Sequence, residues 1–482
     1  MNKVKLPVIL LFFASFILPT GPLHNAFGQD GTPKKYAQNI NNNETEGIQL
    51  RELRLNETIE QGLRRNHDQH LRHYEGGLLD IEWKDTYSSF WFPQVNIVMN
   101  SQEVIGKLRS KGESTSGIPG SPNGSVGLEF GEYTIFNWGK GYLEYQNARN
   151  SYKRNRDILK EKRRELKLDL IAEFFNLLYL KKTEQIQRDQ LRHASFVYRI
   201  NREKFTLKKI RKQEFLQSRD EYLRAQSEYN DARANVQLGD ENMAYLINDP
   251  GNISYNIKQD WIYKKIFITA QEAIRISTQR NPDVLNSVTS LDNAGRSYDI
   301  TMKDDLPLPK ITVNLGTYKH TFGKGINRTR YETTPGNSNI EVVATINASW
   351  ALNGEGGLFN SRSRKHALIT KNMAIRNHFK QKHLVSSSIR EIFKNIINLQ
   401  NNIEIIEARV KSLEKLFDTI LDNYIKNKTS FINLSDVLKK MTYSKNDLVL
   451  TKLKHIDYKI KMAKVIGVEN LPNDIFEQLV KE

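Results

Sequence analysis

Apolar residues recur along this chain with two periods, and each period predicts a different element. Ile389, Ile392, Ile396, Leu399, Ile403, Ile406, Val410, Leu413, Phe417, Ile420 and Tyr424 advance by alternating steps of three and four. That is a coiled-coil seam of about five heptads. Leu159, Leu166, Leu170, Phe174 and Leu177 make a less regular counterpart within Gly141 to Lys204, a stretch of roughly 96 Å if it forms one helix. Elsewhere the period is two. Val95, Ile97 and Met99 alternate with Gln94, Asn96 and Asn100, and Ile311, Val313 and Leu315 alternate with Thr312, Asn314 and Gly316. From Ile340 to Trp350 the alternation is broken only by Val343. These segments predict strands with one apolar and one polar face. In the strand from Val126, Leu128 and Phe130 share its face while Tyr133 and Ile135 lie out of phase, which predicts a bulge near Gly131.

The pattern occurs twice. Leu55-Asn56-Glu57-Thr58-Ile59 leads to Asn66, and Ala270-Gln271-Glu272-Ala273-Ile274 leads to Asn281-Pro282. Pro93 and Pro309 each open an alternating stretch, and Phe136-Asn137-Trp138-Gly139 and Leu352-Asn353-Gly354 each close one. Matched pairs in the same order indicate an internal duplication. Each half reads helix, strand, loop, strand, long helix, turn, helix, over residues 53–267 and 268–467, with 468–482 as a C-terminal tail.

The N-terminus changes the compartment. Lys3 and Lys5 precede an apolar run from Leu6 to Leu18 and a small-residue end at Ala26-Phe27-Gly28, the layout of a secretory signal peptide over residues 1–28. Residues 29–52 read as a flexible polar segment. No later stretch has the length of a membrane-spanning helix. With no cysteine, the chain has no disulfide, thiolate metal site or cysteine nucleophile. Its formal charge of +17 would suggest nucleic acid in a cytosolic protein, and export argues against that partner.

Strands with one lipid-compatible face must close into a barrel, because lipid satisfies no open strand edge. Four strands are too few to close alone. Two copies would give a barrel filled by its own side chains, and three would leave a pore. The competing readings are a soluble periplasmic adaptor or coiled-coil scaffold, which predicts a single helical hairpin flanked by compact β-domains, and a secreted hydrolase, which predicts a convergent polar pocket.

Over residues 53–467 the chain resembles the TolC family of outer-membrane channels. The matching motifs are Leu55 to Ile59 with Asn66, their repeat ending in Asn281-Pro282, Phe136 to Gly139, Asp169 to Phe175, and Leu434-Ser435-Asp436-Val437-Leu438. The resemblance implies a homotrimer in the outer membrane of a Gram-negative bacterium, with a 12-stranded barrel and a coiled-coil tunnel in the periplasm. It implies a passive duct for efflux or type I secretion, with no enzymatic activity and no cofactor. Its partners would be a periplasmic adaptor and an inner-membrane transporter. Two positions depart from the family. Lys208 and Asn427-Lys428 stand in helix turns where members commonly carry Gly, and Lys439 stands where a second acid often follows Asp436.

Three groups of residues are candidates for function. Asp436 and Glu214 sit at equivalent places after the two helix turns and would form carboxylate rings at a tunnel mouth; Lys439, three residues from Asp436, would offset its field. Lys204, Lys208, Lys209, Arg211 and Lys212, with Lys426 and Lys428 in the second turn, make a basic tip for adaptor docking. Pro93, Gly139, Gly141, Pro309, Gly356 and Gly357 mark passages between strands and helices. His67, His70 and His73 lie three apart on one helix, where successive steps drift by about 60° and carry the outer pair off a common site.

Overall fold

The computed structural model describes residues 49–102, 123–130, 133–304, 306, 309–315, 317–322, 344–350 and 361–481. The expected signal peptide, Gly131, Gly356 and Gly357, and most of both inter-strand loops lie outside these residues.

The first half opens with β1 (Gln49–Glu52), α1 (Leu55–Arg65) and α2 (His67–Trp91). Strands β2 (Val95–Gln102), β3 (Asn123–Phe130) and β4 (Tyr133–Phe136) lead to the helical hairpin of α3 (Lys140–Thr206) and α4 (Lys212–Ile247), followed by β5 (Ile253–Asn256) and β6 (Asp260–Trp261). The second half repeats this order: α5 (Ala270–Arg280), α6 (Pro282–Asp304), β7 (Lys310–Leu315), β8 (Thr317–Phe322), β9 (Ala344–Ser349), then α7 (Ser361–Ile425) and α8 (Phe431–Ile466). A final strand, β10 (Val480–Lys481), pairs with β6, and β1 pairs with β5. Residues 49–52, read as part of a flexible segment, are thus tied into a strand pair.

Asparagines at the two corners explain why the halves fold alike. The Asn66 side chain caps α2 by accepting from Asp68 and Gln69 N–H groups, and its amide donates to the Leu246 carbonyl at 2.9 Å. Asn281 accepts from Val284 N–H and donates to the Val465 carbonyl at 2.7 Å. Each therefore fixes the bend between a short and a long helix while pinning the far end of its own hairpin. Those hairpin ends are equivalent too: α4 stops at Asn248 with φ 56° and α8 at Gly467 with φ 86°, both left-handed caps.

The main core lies where all the corners meet. Leu168, Leu170, Ile171, Phe174 and Phe175 of α3 pack with Ile389 and Ile396 of α7 and with Ile460, Met462 and Ile466 of α8. Leu471, Phe476 and Leu479 are buried in the same core, so the segment read as a tail is packed. A second apolar cluster sits at the hairpin tips, around Val197, Phe417, Tyr424, Phe431, Leu434 and Leu438. The predicted seam runs between them: Ile389, Ile396, Ile403, Val410, Phe417 and Tyr424, one residue per heptad, are buried. Leu399, Ile406, Leu413 and Ile420 on the other half of the seam are only part covered.

The strands form two three-stranded antiparallel sheets, β2-β3-β8 and β4-β7-β9. Glu129 pairs with Thr317 and Tyr133 with Val313, which is the same register on either side of Gly131. The irregularity falls instead between Thr134 and Phe136.

Candidate functional site: strand edges, junctions and hairpin tips

Three places follow from this scaffold. The two sheets come first, because β2 in one and β9 in the other are outer members, each bonded on one side only among the described residues. On β9, Ile346 is 74% exposed; its register partner Val313 on β7 is buried. On β2, Val95 and Ile97 are exposed as well.

At the junction below the sheet, Trp138 and Gly139 both take positive φ, 59° and 77°. A turn of this kind needs a residue without Cβ at one position at least, which accounts for Gly139. The Asn137 side chain accepts from Gly141 N–H, Trp138 Nε1 donates to the Pro309 carbonyl at 3.1 Å, and Lys303 donates to the Trp138 carbonyl at 2.9 Å. Lys140 pairs with Asp304. The Asn-Trp-Gly motif thus locks the start of α3 against the end of α6. Pro93 and Pro309 lie in the two opposite passages, from helix to strand.

The hairpin tips are joined through Lys204. Its ammonium lies 4.5 Å from the centre of the Tyr424 ring and donates to Asn427 Oδ1 at 2.6 Å. Tyr424 Oη in turn donates to the buried Asn201 side chain. Burial lowers the Lys204 amine below the ordinary lysine range, although Glu214 opposes that shift. Lys204 is therefore engaged within the chain, whereas Lys208, Lys209, Arg211, Lys212 and Lys428 are exposed. Lys426 is exposed too and pairs with Asp422. Asn201 and Asn427 had no periodic signal in the sequence, since each gains its role from a helix far away along the chain.

Both turns close in the same way. Lys208 and Asn427 adopt φ of 57° and 58°, and the residue after each donates back five residues, Lys209 to the Lys204 carbonyl and Lys428 to that of Asn423. For lysine that conformation is strained, so Lys208→Gly should raise tip stability by about 1 kcal/mol. A higher unfolding midpoint in denaturant would show it, and a lower one would refute the strain.

The carboxylates at the second turn are paired differently from expectation. Asp436 binds Lys440 at 2.6 Å, one helical turn on, and not Lys439. Lys439 reaches across to Glu221 of α4 at 2.8 Å, where that largely buried carboxylate also holds Arg224. The physical reason is burial: a covered carboxylate competes better for a cation than the solvated Asp436 does. Glu214 lies in the first turn of α4. His67, His70 and His73 are exposed on α2.

Residues 88–248 match the family model of outer membrane efflux proteins. No curated protein matches the sequence. Among solved structures, the CusC channel superposes with a TM-score of 0.71 at 13% identity, over 86% of this chain and 92% of that one. The CmeC outer membrane channel of Campylobacter jejuni gives 0.66 at 16% identity, covering 86% and 85%. The outer membrane protein VceC of Vibrio cholerae gives 0.68 at 12%, covering 86% and 96%. The fold is that of TolC-like channels, and its two helical hairpins are not the single hairpin of the adaptor reading.

Proposed function

We propose, for a chain with the TolC-like fold, that three copies build an outer-membrane export channel whose long helices continue as a tunnel in the periplasm. The observation that carries this reading is that β3 with β4, and β8 with β7, keep one register across the two sheets, which leaves β2 and β9 as edges. Exposed edges in lipid are untenable, and an edge strand of one copy can pair with the opposite edge of the next. Twelve strands then close around a pore, which eight would not leave. The duct is passive: nothing in the reading requires a catalytic group, and an inner-membrane transporter working through a periplasmic adaptor would drive export. The exposed lysines and Arg211 at the tips would meet that adaptor.

The test is direct. Protein extracted from the outer membrane should be a trimer, and it should conduct in a planar bilayer. Ile346→Arg should impair insertion, at about 2–4 kcal/mol per site near the bilayer midplane, while Asn347→Arg on the opposite face of β9 should insert. The reverse result would place the apolar face inward and remove the barrel.

At the tunnel mouth, Lys440→Asp frees Asp436 from its partner and adds a carboxylate beside it. Selectivity should therefore shift toward cations more than with Lys439→Asp, read as the single-channel reversal potential in a KCl gradient. Equal or absent shifts would remove Asp436 from the constriction.

A further inference from the structure

From Ser361 to Arg390 the chain contains no Asp or Glu, against eight Arg and Lys. This is the upper half of α7, next to the sheet. Arg362, Lys365, Ile369, Met373, Arg376, Lys380, His383 and Arg390 follow one another at steps of three, four and seven, which places them on one face. All are exposed. None of Arg362, Arg376, Lys380 and Arg390 has an ion pair with a described residue. The lower half of the same helix behaves otherwise, with Glu407 and Glu414 held by Lys452 and Lys445 of α8.

A complementary face lies on α2. Leu71, Tyr74, Leu78 and Ile81 are 56–70% exposed and advance by three and four. Glu75, Glu82 and Asp85 share that face and are exposed, while Arg72 and Lys84 point well to either side of it. Glu82 and Asp85 have no ion pair among the described residues, and Glu75 makes one, with Lys162 at 3.3 Å.

The order of helices repeats the order of strands. Helix α2 packs on α3, α3 on α6, and α6 on α7, so α2 and α7 are the outer helices as β2 and β9 are the outer strands. They also run in opposite directions, α2 into β2 and α7 away from β9. Phe90 stacks on Tyr145, Asn147 bonds Ser297 and Ser287 bonds His378, so across these helices Glu75 stands near the level of Lys380 and Glu82 near that of Arg376. Ile81 stands near the level of Met373 by the same contacts.

We infer that the acid-free half of α7 is one side of an electrostatic seam whose other side is the apolar, acidic face of α2 in a second copy of this chain. The inference rests on the channel reading and adds what orients the copies. Like faces of α7 repel each other, as do like faces of α2, so copies join only head to tail and the chain of contacts closes into a ring. The apolar residues in both faces supply the contact area, and the charges select the partner face.

The chain has no cysteine, so an engineered pair reports cleanly. Ile81→Cys with Met373→Cys should oxidise in native outer membranes to a covalent ladder ending at three chains, and neither single variant should do so. Arg376→Glu with Lys380→Glu should lower the trimer fraction at least about tenfold in mild detergent at low salt. Adding Glu75→Lys and Glu82→Lys to that pair should restore it, which excludes simple misfolding. Native trimers that survive the reversal, with a shifted reversal potential instead, would mean that the basic face lines the tunnel and would overturn the seam. A native protein that is monomeric in the same extract would overturn the channel reading itself, and the seam with it.

Discussion

Replacing Gly467 with alanine should destabilise the protein by more than about 3 kcal/mol, far beyond an ordinary helix-end substitution. Gly467 ends α8 with φ 86°, a conformation that alone costs an L-residue about 1–2 kcal/mol. The larger part is steric. A Cβ there would lie 2.1 Å from the Arg280 carbonyl oxygen and 2.7 Å from its carbon, both backbone atoms of the α5 corner. That corner cannot yield freely, because the Asn281 amide binds the Val465 carbonyl from the other side. The chain must either separate α8 from α5 or lose the cap. Gly77 provides the control, for it is helical and exposed, and a Cβ added there would meet nothing within 4 Å. Gly77→Ala should therefore raise stability by about 0.5–1 kcal/mol. Denaturant midpoints of the three proteins in detergent test both directions, and a Gly467→Ala protein as stable as the native one would show that the two corners are not in contact.

Removing the Asp474 carboxylate should cost about 3–5 kcal/mol, because its partner is a buried lysine with no other anion among the described residues. Lys459 and Asp474 pair at 2.6 Å with both side chains 1% exposed, and the ammonium also donates to the Lys264 carbonyl at 2.7 Å. Burial pushes the Lys459 amine below its usual range, and Asp474 pulls it part of the way back. In Asp474→Ala that counterweight is gone, so the amine titrates lower still. Between its folded and unfolded values the folded state then binds fewer protons than the unfolded state, and stability must rise with pH. The variant should accordingly recover part of its loss as pH climbs toward the ordinary lysine range. The double change Lys459→Met with Asp474→Leu should recover most of it at neutral pH, since apolar replacement of a buried pair is often neutral or better. Midpoints measured from about pH 7 to 10 decide this, and a flat profile for Asp474→Ala would mean that Lys459 reaches water.

Much of the architecture was legible because it rests on local periodicity. The seam from Ile389 to Tyr424 predicted α7, and its every-seventh residues are buried. The duplicated corner at Asn66 and Asn281 was visible as a motif, and the atoms it binds, the carbonyls of Leu246 and Val465, are equivalent in the two halves. Prolines and the Asn-Trp-Gly turn marked the junctions, since fixed or positive φ is a property of the residue itself.

What the sequence alone determined was the elements whose cause lies within a few turns of chain: the long helices, the corners and the two-fold repetition. The tertiary structure decided which charges meet. Lys439 turned from its neighbour Asp436 to the distant Glu221, Lys204 was drawn onto the Tyr424 ring, and the C-terminal segment folded in to give Lys459 its carboxylate partner. The physical reason is that such contacts depend on burial and distance, which are set by how separate segments pack, whereas periodicity is carried by each helix on its own.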